Sequence, residues 1–473
     1  MENSPTARLD ALLECQRSAF ALEMNPTVAV RKERLARLAA MGEKHAAQIV
    51  EAISADFGHR SAHETQMAEL VVLGGSIRHA QRHLKRWMKP RRVPTAMHYR
   101  PASNRLLRQP LGVVGIVAPW NYPYQLALEP ALAALAAGNR VMIKPSELTP
   151  RLSELLQHIV AEHFDEDEMA VVTGDAQTGK SFTELPFDHL LFTGSTAVGR
   201  MVAQAAAKNL TPVTLELGGK SPAILDPSSD LATVAPRLAF GKLLNAGQTC
   251  IAPDYAFVPK DRIDAFVEQM QRTIARMYPR LADNPDYTSI VSDRHFARLQ
   301  GLLEDARSKG ARIVTINPAG ETFDPARRKQ PPVLVLGATP EMKLMQEEIF
   351  GPILPVLGYD RIEEAIAYIN RHDRPLALYW FGSDGANRDK VLSQTISGGV
   401  TLNDCIWHFA QQSQPFGGVG ASGTGCYHGE WGFRTFSKEK PVFDQPRLNG
   451  MFLMYPPFGK TFERMLALLR RIA

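Results

Sequence analysis

Residues 111–147 read LGVVGIVAPWNYPYQLALEPALAALAAGNRVMIKPSE. The β-branched run Val113–Ala118 has the length and composition of a buried strand, Tyr124–Ala137 follows as an apolar helix with Pro123 at its start and Gly138 just past its end, and Arg140–Ile143 is a second strand. A strand, a helix and a strand joined by short turns make one βαβ unit with the two strands parallel. The alternation continues through helix 151–163, strands 169–172 and 189–193, helix 197–208 and strand 213–216, the pattern of a doubly wound nucleotide-binding domain.

The rest of the chain grows out from this unit. After Gly218-Gly219-Lys220 the alternation restarts, with strands at 222–225, 255–259, 312–316, 332–336, 352–358, 376–381 and 399–402 and helices at 230–245, 261–276, 294–309, 361–370 and 385–395. A second α/β domain is therefore expected. Residues 27–92 read as helical and end in a basic stretch from Arg82 to Arg92, a solvated helix face. His79 and His83 have metal-pair spacing there, but the cations beside them and the want of a nearby carboxylate argue against a metal site, and none is expected elsewhere. Segment 411–436 reads as loop, and Gly459–Ala473 as a short helix.

Length and composition agree. The 473 residues are two domains' worth, or two with an appendage, when a domain takes about 150. A charge of +5 from 54 basic and 49 acidic residues leaves no electrostatic footprint for nucleic acid. Four cysteines, Cys15, Cys250, Cys405 and Cys426, with no C-x-x-C, provide neither a disulfide framework nor a zinc site, and fit a reducing compartment. With no signal-peptide pattern and no run of about 18 apolar residues, the expected location is cytoplasmic.

Several residues could carry chemistry. Strand 189–193 runs into Gly194-Ser195-Thr196-Ala197-Val198-Gly199, a strand-to-helix turn able to hold a pyrophosphate at a helix N-terminus. Thr196 stands where the dinucleotide fingerprint has its second glycine, so the fingerprint is incomplete. Lys144 and Glu147 sit at the carboxyl end of strand 140–143, where a lysine and a carboxylate suit ribose hydroxyls as well as they suit an ordinary turn. Cys250, in Asn245-Ala246-Gly247-Gln248-Thr249-Cys250, has a glycine and polar residues leading into it, which suits a nucleophile better than a core cysteine. Glu216 ends a strand between two leucines, where partial burial would make it a usable general base. Asn121 is either an N-cap or an amide donor to an oxyanion.

The order and spacing of PWNYP (119–123), KPSE (144–147), FTGSTAVG (192–199), LELGGKSP (215–222), GQTC (247–250), EEIFGP (347–352) and PFGGVGASG (415–423) closely resemble the aldehyde dehydrogenase superfamily. GQTCIAPDY (247–255) and YHGEWGFRTFS (427–437) resemble its class 3 branch, while SADFG (54–58), DNPDYTSI (283–290) and the region 433–442 resemble bacterial coniferyl aldehyde dehydrogenases. The resemblance implies a doubly wound parallel-sheet NAD(P)-binding domain (1–90 and 111–217), an α/β catalytic domain (218–402), a small β bridging or oligomerisation element (91–110 and 403–445) and a C-terminal tail (446–473). It implies that Cys250 attacks an aldehyde, that the Asn121 side chain and the Cys250 backbone N–H hold the oxyanion, and that Glu216 activates water against the thioester. Lys144, Glu147, Gly194, Ser195, Gly199, Glu348 and Phe350 would hold NAD, with NADP the alternative. The Thr196 departure is then expected.

Tyr122, Trp407, His408 and Phe409 are candidates for the wall of an aldehyde tunnel. A coniferyl-type aromatic aldehyde is the expected substrate, with a medium- or long-chain aldehyde as alternative. Release of the acyl group to coenzyme A is disfavoured by Glu216, and an inactive scaffold by the joint presence of Cys250, Glu216 and Asn121. In the tail, Phe462, Met465, Leu466, Leu469 and Ile472 share one helical face, with Lys460, Arg464, Arg470 and Arg471 elsewhere. Docking on a partner subunit of a homodimer accounts for that face better than contact with a membrane surface.

Overall fold

The computed structural model describes residues 5–472. Its first sheet has six strands in the order Gly423–Thr424, Val213–Leu217, His189–Gly194, Val113–Val117, Arg140–Lys144 and Met169–Val171. All neighbours are parallel except the short Gly423–Thr424, which runs antiparallel to Leu215 and Glu216. Helix Gln125–Ala137 is buried at every position, as a helix apolar all round must be. It ends on Gly138, whose φ of 96° favours glycine. Helices Val28–Lys44, Ala46–Phe57 and Val72–Trp87 close over it in one continuous core.

The second sheet has seven strands, ordered Arg312–Thr315, Val333–Leu336, Ile353–Tyr359, Tyr255–Pro259, Pro222–Leu225, Ala377–Phe381 and Gly399–Leu402, all parallel but the first. The β element is a three-stranded antiparallel sheet of Arg91–Val93, Ser103–Pro110 and Ser437–Asp444.

The structure corrects the reading of the sequence in several places, and one addition is helix Ala176–Thr183, between the strands read at 169–172 and 189–193. A helix, Pro5–Leu22, precedes the first one expected, its buried Leu9, Leu12 and Leu13 packing with Val113 and Met142. The helix expected over 230–245 stops at Leu243, because Asn245 and Ala246 turn left-handed at φ 53° and 52°. Segment 411–436 is not all loop: it holds the Gly423–Thr424 strand and helix Gly429–Thr435, which sets Phe433 against Trp87 with ring centroids 5.7 Å apart. The helical run 27–92 contains a π-helical turn, Gln66–Val71, and ends with strand Arg91–Val93.

In the tail, helix Lys460–Ile472 packs on the turn Met451–Met454, and Phe452, Tyr455 and Phe458 are exposed. The side chains of Arg471 and Ile472, counted with the tail's faces above, lie outside the described residues, as do residues 1–4 and 473. No helix among the described residues is long and apolar enough to cross a membrane.

Candidate active site

Four adjacent strands of the first sheet carry the candidate residues at or just beyond their carboxyl ends: Glu216 on Val213–Leu217, Gly194 and Ser195 on His189–Gly194, Asn121 after Val113–Val117, and Lys144 on Arg140–Lys144. Carboxyl ends beside a reversal of strand order are where open α/β sheets bind ligands. Here the order reverses at Val113–Val117, whose neighbours are the next strand in sequence on one side and His189–Gly194 on the other.

The loop that ends at Cys250 is built to stay still. Asn245 and Ala246 turn the chain out of the helix, and Gly247 follows at φ 75°, where a Cβ would come within 2.4 Å of the Gly351 carbonyl. Gln248 is a strut: its Nε2 donates to the carbonyls of Asn245 (2.9 Å) and Ser289 (3.0 Å), and its Oε1 accepts from Val291 N–H (2.9 Å). Thr249 Oγ1 lies 2.6 Å from the Tyr122 hydroxyl, which ties this loop to the first domain.

Cys250 lies at a pocket of about 80 Å³, open to solvent, walled by Met67, Tyr122, Leu126, Ile406, Trp407 and Phe409, among others. Its wall is almost wholly apolar. Burial pushes the Cys250 thiol up to about 12, and the nearby Glu348 and Glu216 carboxylates push the same way. The backbone N–H groups of Cys250 and Ile251 oppose that rise, so they are the donors that favour negative charge on the sulfur.

Glu216 is held by pairing of its strand with Gly423. It is buried, and neither carboxylate oxygen has a hydrogen-bond partner among the described residues. Burial alone raises its pKa well above the ordinary carboxylate value. An unpartnered carboxyl near the thiol, made more basic than an ordinary carboxylate by its burial, is suited to general-base work.

Asn121 is buried, and its Nδ2 donates to the Gln248 carbonyl at 3.2 Å. An amide nitrogen has two N–H donors. One bond to Gln248 fixes the side chain, leaving the second N–H for an oxyanion formed at Cys250. Asn121→Ala is expected to lower kcat by about 10²–10³-fold, the scale of losing one oxyanion donor. Steady-state kinetics test this, and an unchanged kcat would remove Asn121 from that role.

The other candidates are each held by contacts of their own. Lys144 is buried, its Nζ donating to the Pro145 carbonyl at 2.7 Å and lying 4.0 Å from the half-exposed Glu147 carboxylate. Burial lowers the Lys144 pKa, with Glu147 and Asp175 opposing. Ser195 caps helix Thr196–Ala207 by accepting from Val198 N–H, and Thr196 donates to the Ala421 carbonyl at 3.0 Å. At Gly199 a Cβ would come within 2.6 Å of Leu217, so only glycine lets this helix lie so close to the strand. Gly218 makes room for Glu348, whose Oε2 would be 2.0 Å from an added Cβ. Burial, then the Asp254 charge, push Glu348 up to about 8, while Gly219 N–H and Lys220 oppose the shift. Phe350 has φ 52° and meets Trp120 edge-on at 5.4 Å.

Of the four proposed tunnel residues, Tyr122, Trp407 and Phe409 line the cavity and His408 does not. The His408 ring stacks on Phe416 at 6.1 Å, and its Nδ1 lies 2.8 Å from Thr401 Oγ1. The turn points 407 and 409 into the cavity and 408 away, which the sequence alone does not reveal.

The model of the "Aldehyde dehydrogenase family" matches residues 1–442. The curated coniferyl aldehyde dehydrogenase of Pseudomonas sp. strain HR199 is 47% identical, over 95% of this chain and 93% of its own. Among solved structures, the substrate-bound state of Staphylococcus aureus AldH superposes with a TM-score of 0.92 at 37% identity, covering 98% of this chain and 99% of that one. A Mycobacterium tuberculosis aldehyde dehydrogenase complexed with NAD+ superposes with a TM-score of 0.81 at 29% identity, over 92% and 90% of the two chains.

Proposed function

The chain belongs to the aldehyde dehydrogenase family, and we propose that within it the protein oxidises aromatic aldehydes of the coniferyl aldehyde class to carboxylic acids through a thioester on Cys250. One observation carries this reading: an apolar, aromatic-walled cavity opens onto a cysteine whose charge is felt by a buried, unpartnered carboxyl group. The name of the Pseudomonas relative supports the aromatic substrate.

The donor set fits a dinucleotide. Ser195 and the amino end of helix Thr196–Ala207 suit the diphosphate, with Gly194 and Gly199 shaping that turn. Lys144 and Glu147 suit one ribose, and Glu348 with Phe350 the other. NAD bound there supplies the hydride acceptor. Glu147 repels a 2′-phosphate and Lys144 attracts one, so NAD is preferred and NADP is the alternative.

The chain's own groups divide the remaining work. The Cys250 thiol gives up its proton to water, and its thiolate, favoured by the Cys250 and Ile251 N–H groups, adds to the aldehyde carbon; the oxyanion accepts from Asn121 Nδ2 and Cys250 N–H. Loss of hydride from that tetrahedral carbon leaves an acyl thioester on Cys250. Glu216 then takes a proton from water, which attacks the thioester, releasing the acid and returning the thiol.

The enzyme acts in this reading as a cytosolic homodimer. Four free thiols support the compartment. The edge strand Ser437–Asp444 with its half-exposed Phe443, and the apolar residues of the tail, support pairing of subunits.

A second reading, a medium- or long-chain aldehyde substrate, is favoured by the scarcity of polar groups along the cavity wall. Comparing kcat/KM for coniferyl aldehyde, benzaldehyde, hexanal and decanal with NAD and with NADP separates the two. Coniferyl aldehyde with NAD is expected to give the highest value. A highest value for decanal would establish the second reading, and no turnover of any of the four would overturn both.

A further inference from the structure

The two loops that carry Asn121 and Cys250 are held by three buried charged residues of the amino-terminal helices, which have no part in the chemistry described above. We propose that Arg60 and Glu69, assisted by Glu64, are positioning residues that set the distance between the oxyanion donor and the nucleophile. The inference rests on the functional reading of Cys250 and Asn121.

The contacts run as a chain. The Arg60 side chain is fully buried between the rings of Phe57 and Tyr122, its Cζ 5.1 Å and 4.8 Å from their centroids. Its Nη1 donates both to Glu69 Oε1 (2.8 Å) and to the backbone carbonyl of Asn121 (3.0 Å). The other oxygen of Glu69 accepts from the N–H groups of Tyr124 (2.8 Å) and Gln125 (3.1 Å), the first free donors of helix Gln125–Ala137. One buried ion pair thus grips the strand-to-helix turn at three points: 121, 124 and 125.

Glu64 does the same for the other loop. Its Oε1 accepts from Asn245 N–H (3.1 Å), at the first left-handed residue of the turn, and its Oε2 accepts from Thr288 Oγ1 (2.6 Å). Asn245 Nδ2 then bridges the loops, donating to the Asn121 carbonyl (3.0 Å) and the Gln248 carbonyl (3.1 Å). The Asn121 carbonyl is therefore shared by Arg60 and Asn245, while the Asn121 amide is fixed on Gln248. Any change in the Arg60–Glu69 pair moves the turn that aims the second Asn121 N–H.

Where Glu69 sits also bears on its role. It lies in the π-helical turn Gln66–Val71, and Met67 and Ala68 of the same turn line the aldehyde cavity. The extra residue of a π turn is a common local device at functional sites. Here one turn supplies both cavity wall and anchor.

A buried ion pair that served stability alone would change folding when altered and leave the surviving sites intact, whereas a positioning pair changes the rate at each site. The experiment compares wild type with Glu69→Gln and Arg60→Lys, which keep size and one hydrogen bond each. Glu129→Gln is the control, because Glu129 is as deeply buried on helix Gln125–Ala137 but its partners are the side chains of Ser76, Gln125 and Gln412, not the backbone of the turn at 121–125. Each is assayed with whichever of the four aldehydes serves wild type best. The amplitude of the NADH burst counts the folded, cofactor-loaded sites, and its rate constant reports acylation at each site.

Glu69→Gln and Arg60→Lys are expected to slow the burst rate constant by about 10–100-fold. Their NAD affinity is expected to stay unchanged, and Glu129→Gln to keep the wild-type rate constant. Wild-type rate constants in both variants, with only the amplitude or the Tm reduced, would overturn the inference. So would an equal slowing in Glu129→Gln. If wild type itself oxidises none of the aldehydes, the functional reading has failed, which is a distinct result.

Discussion

Cys250→Ala is expected to abolish NAD-dependent aldehyde oxidation, by a factor on the order of 10⁴ or more, with NAD binding nearly intact. The nucleophile forms the bond that every later step depends on, and no other thiol is placed to take over. Cys405 is buried, Cys15 is exposed, and the half-buried Cys426 feels the charge of Glu216, but none of the three is among the residues that line the cavity with Cys250. The proposed cofactor contacts come from Lys144, Glu147, Ser195 and Glu348, none of which alanine at 250 removes. Steady-state turnover together with NAD titration by fluorescence checks both halves of the prediction. Substantial turnover by the variant would place the chemistry elsewhere.

Glu216→Gln is expected to lower kcat by about 10²–10⁴-fold, the usual contribution of a general base, while the first turnover still produces NADH. The variant should therefore show a burst followed by a slow steady state, because acylation does not need the carboxylate and hydrolysis does. The pH dependence follows from the environment. Burial holds the Glu216 pKa well above the ordinary carboxylate value, and the base works only when deprotonated. Wild-type kcat should then rise with pH through that elevated pKa and fall away below it, and the variant should lose this acidic limb. An acidic limb that persists unchanged in Glu216→Gln would assign it to another group, Glu348 being the nearest alternative.

Much of this was legible in the sequence because it is local. The strand and helix boundaries read across residues 111–217 follow from β-branched runs, from Pro123 and from Gly138, and the structure moves each by at most one residue, though the reading omits helix Ala176–Thr183. Asn121, Glu216 and Cys250 stood out as reactive side chains at strand ends or in a small-residue turn. What stayed hidden is non-local. The bonds from Arg60 and Glu69 to the turn at 121–125 cross more than 50 residues of sequence, and that from Glu64 to Asn245 spans 181. Periodicity records only that Glu64 and Glu69 interrupt a helical run, and their burial depends on which helix closes over them. Gln248 reads as a polar loop residue until its three anchors are seen. His408 lies between two cavity residues in sequence, and only the turn of the backbone takes it out of the wall.

The central claim is that the acyl group passes through a thioester on Cys250, and peptide mass spectrometry tests it most directly. Glu216→Gln is mixed with NAD and an aldehyde that wild type oxidises, quenched in acid within the first turnovers, and digested. The account predicts a mass increase equal to the acyl group less one hydrogen, confined to the peptide containing Cys250 and released by hydroxylamine. Steady NADH production with no adduct on that peptide, or an adduct on another residue, would contradict it.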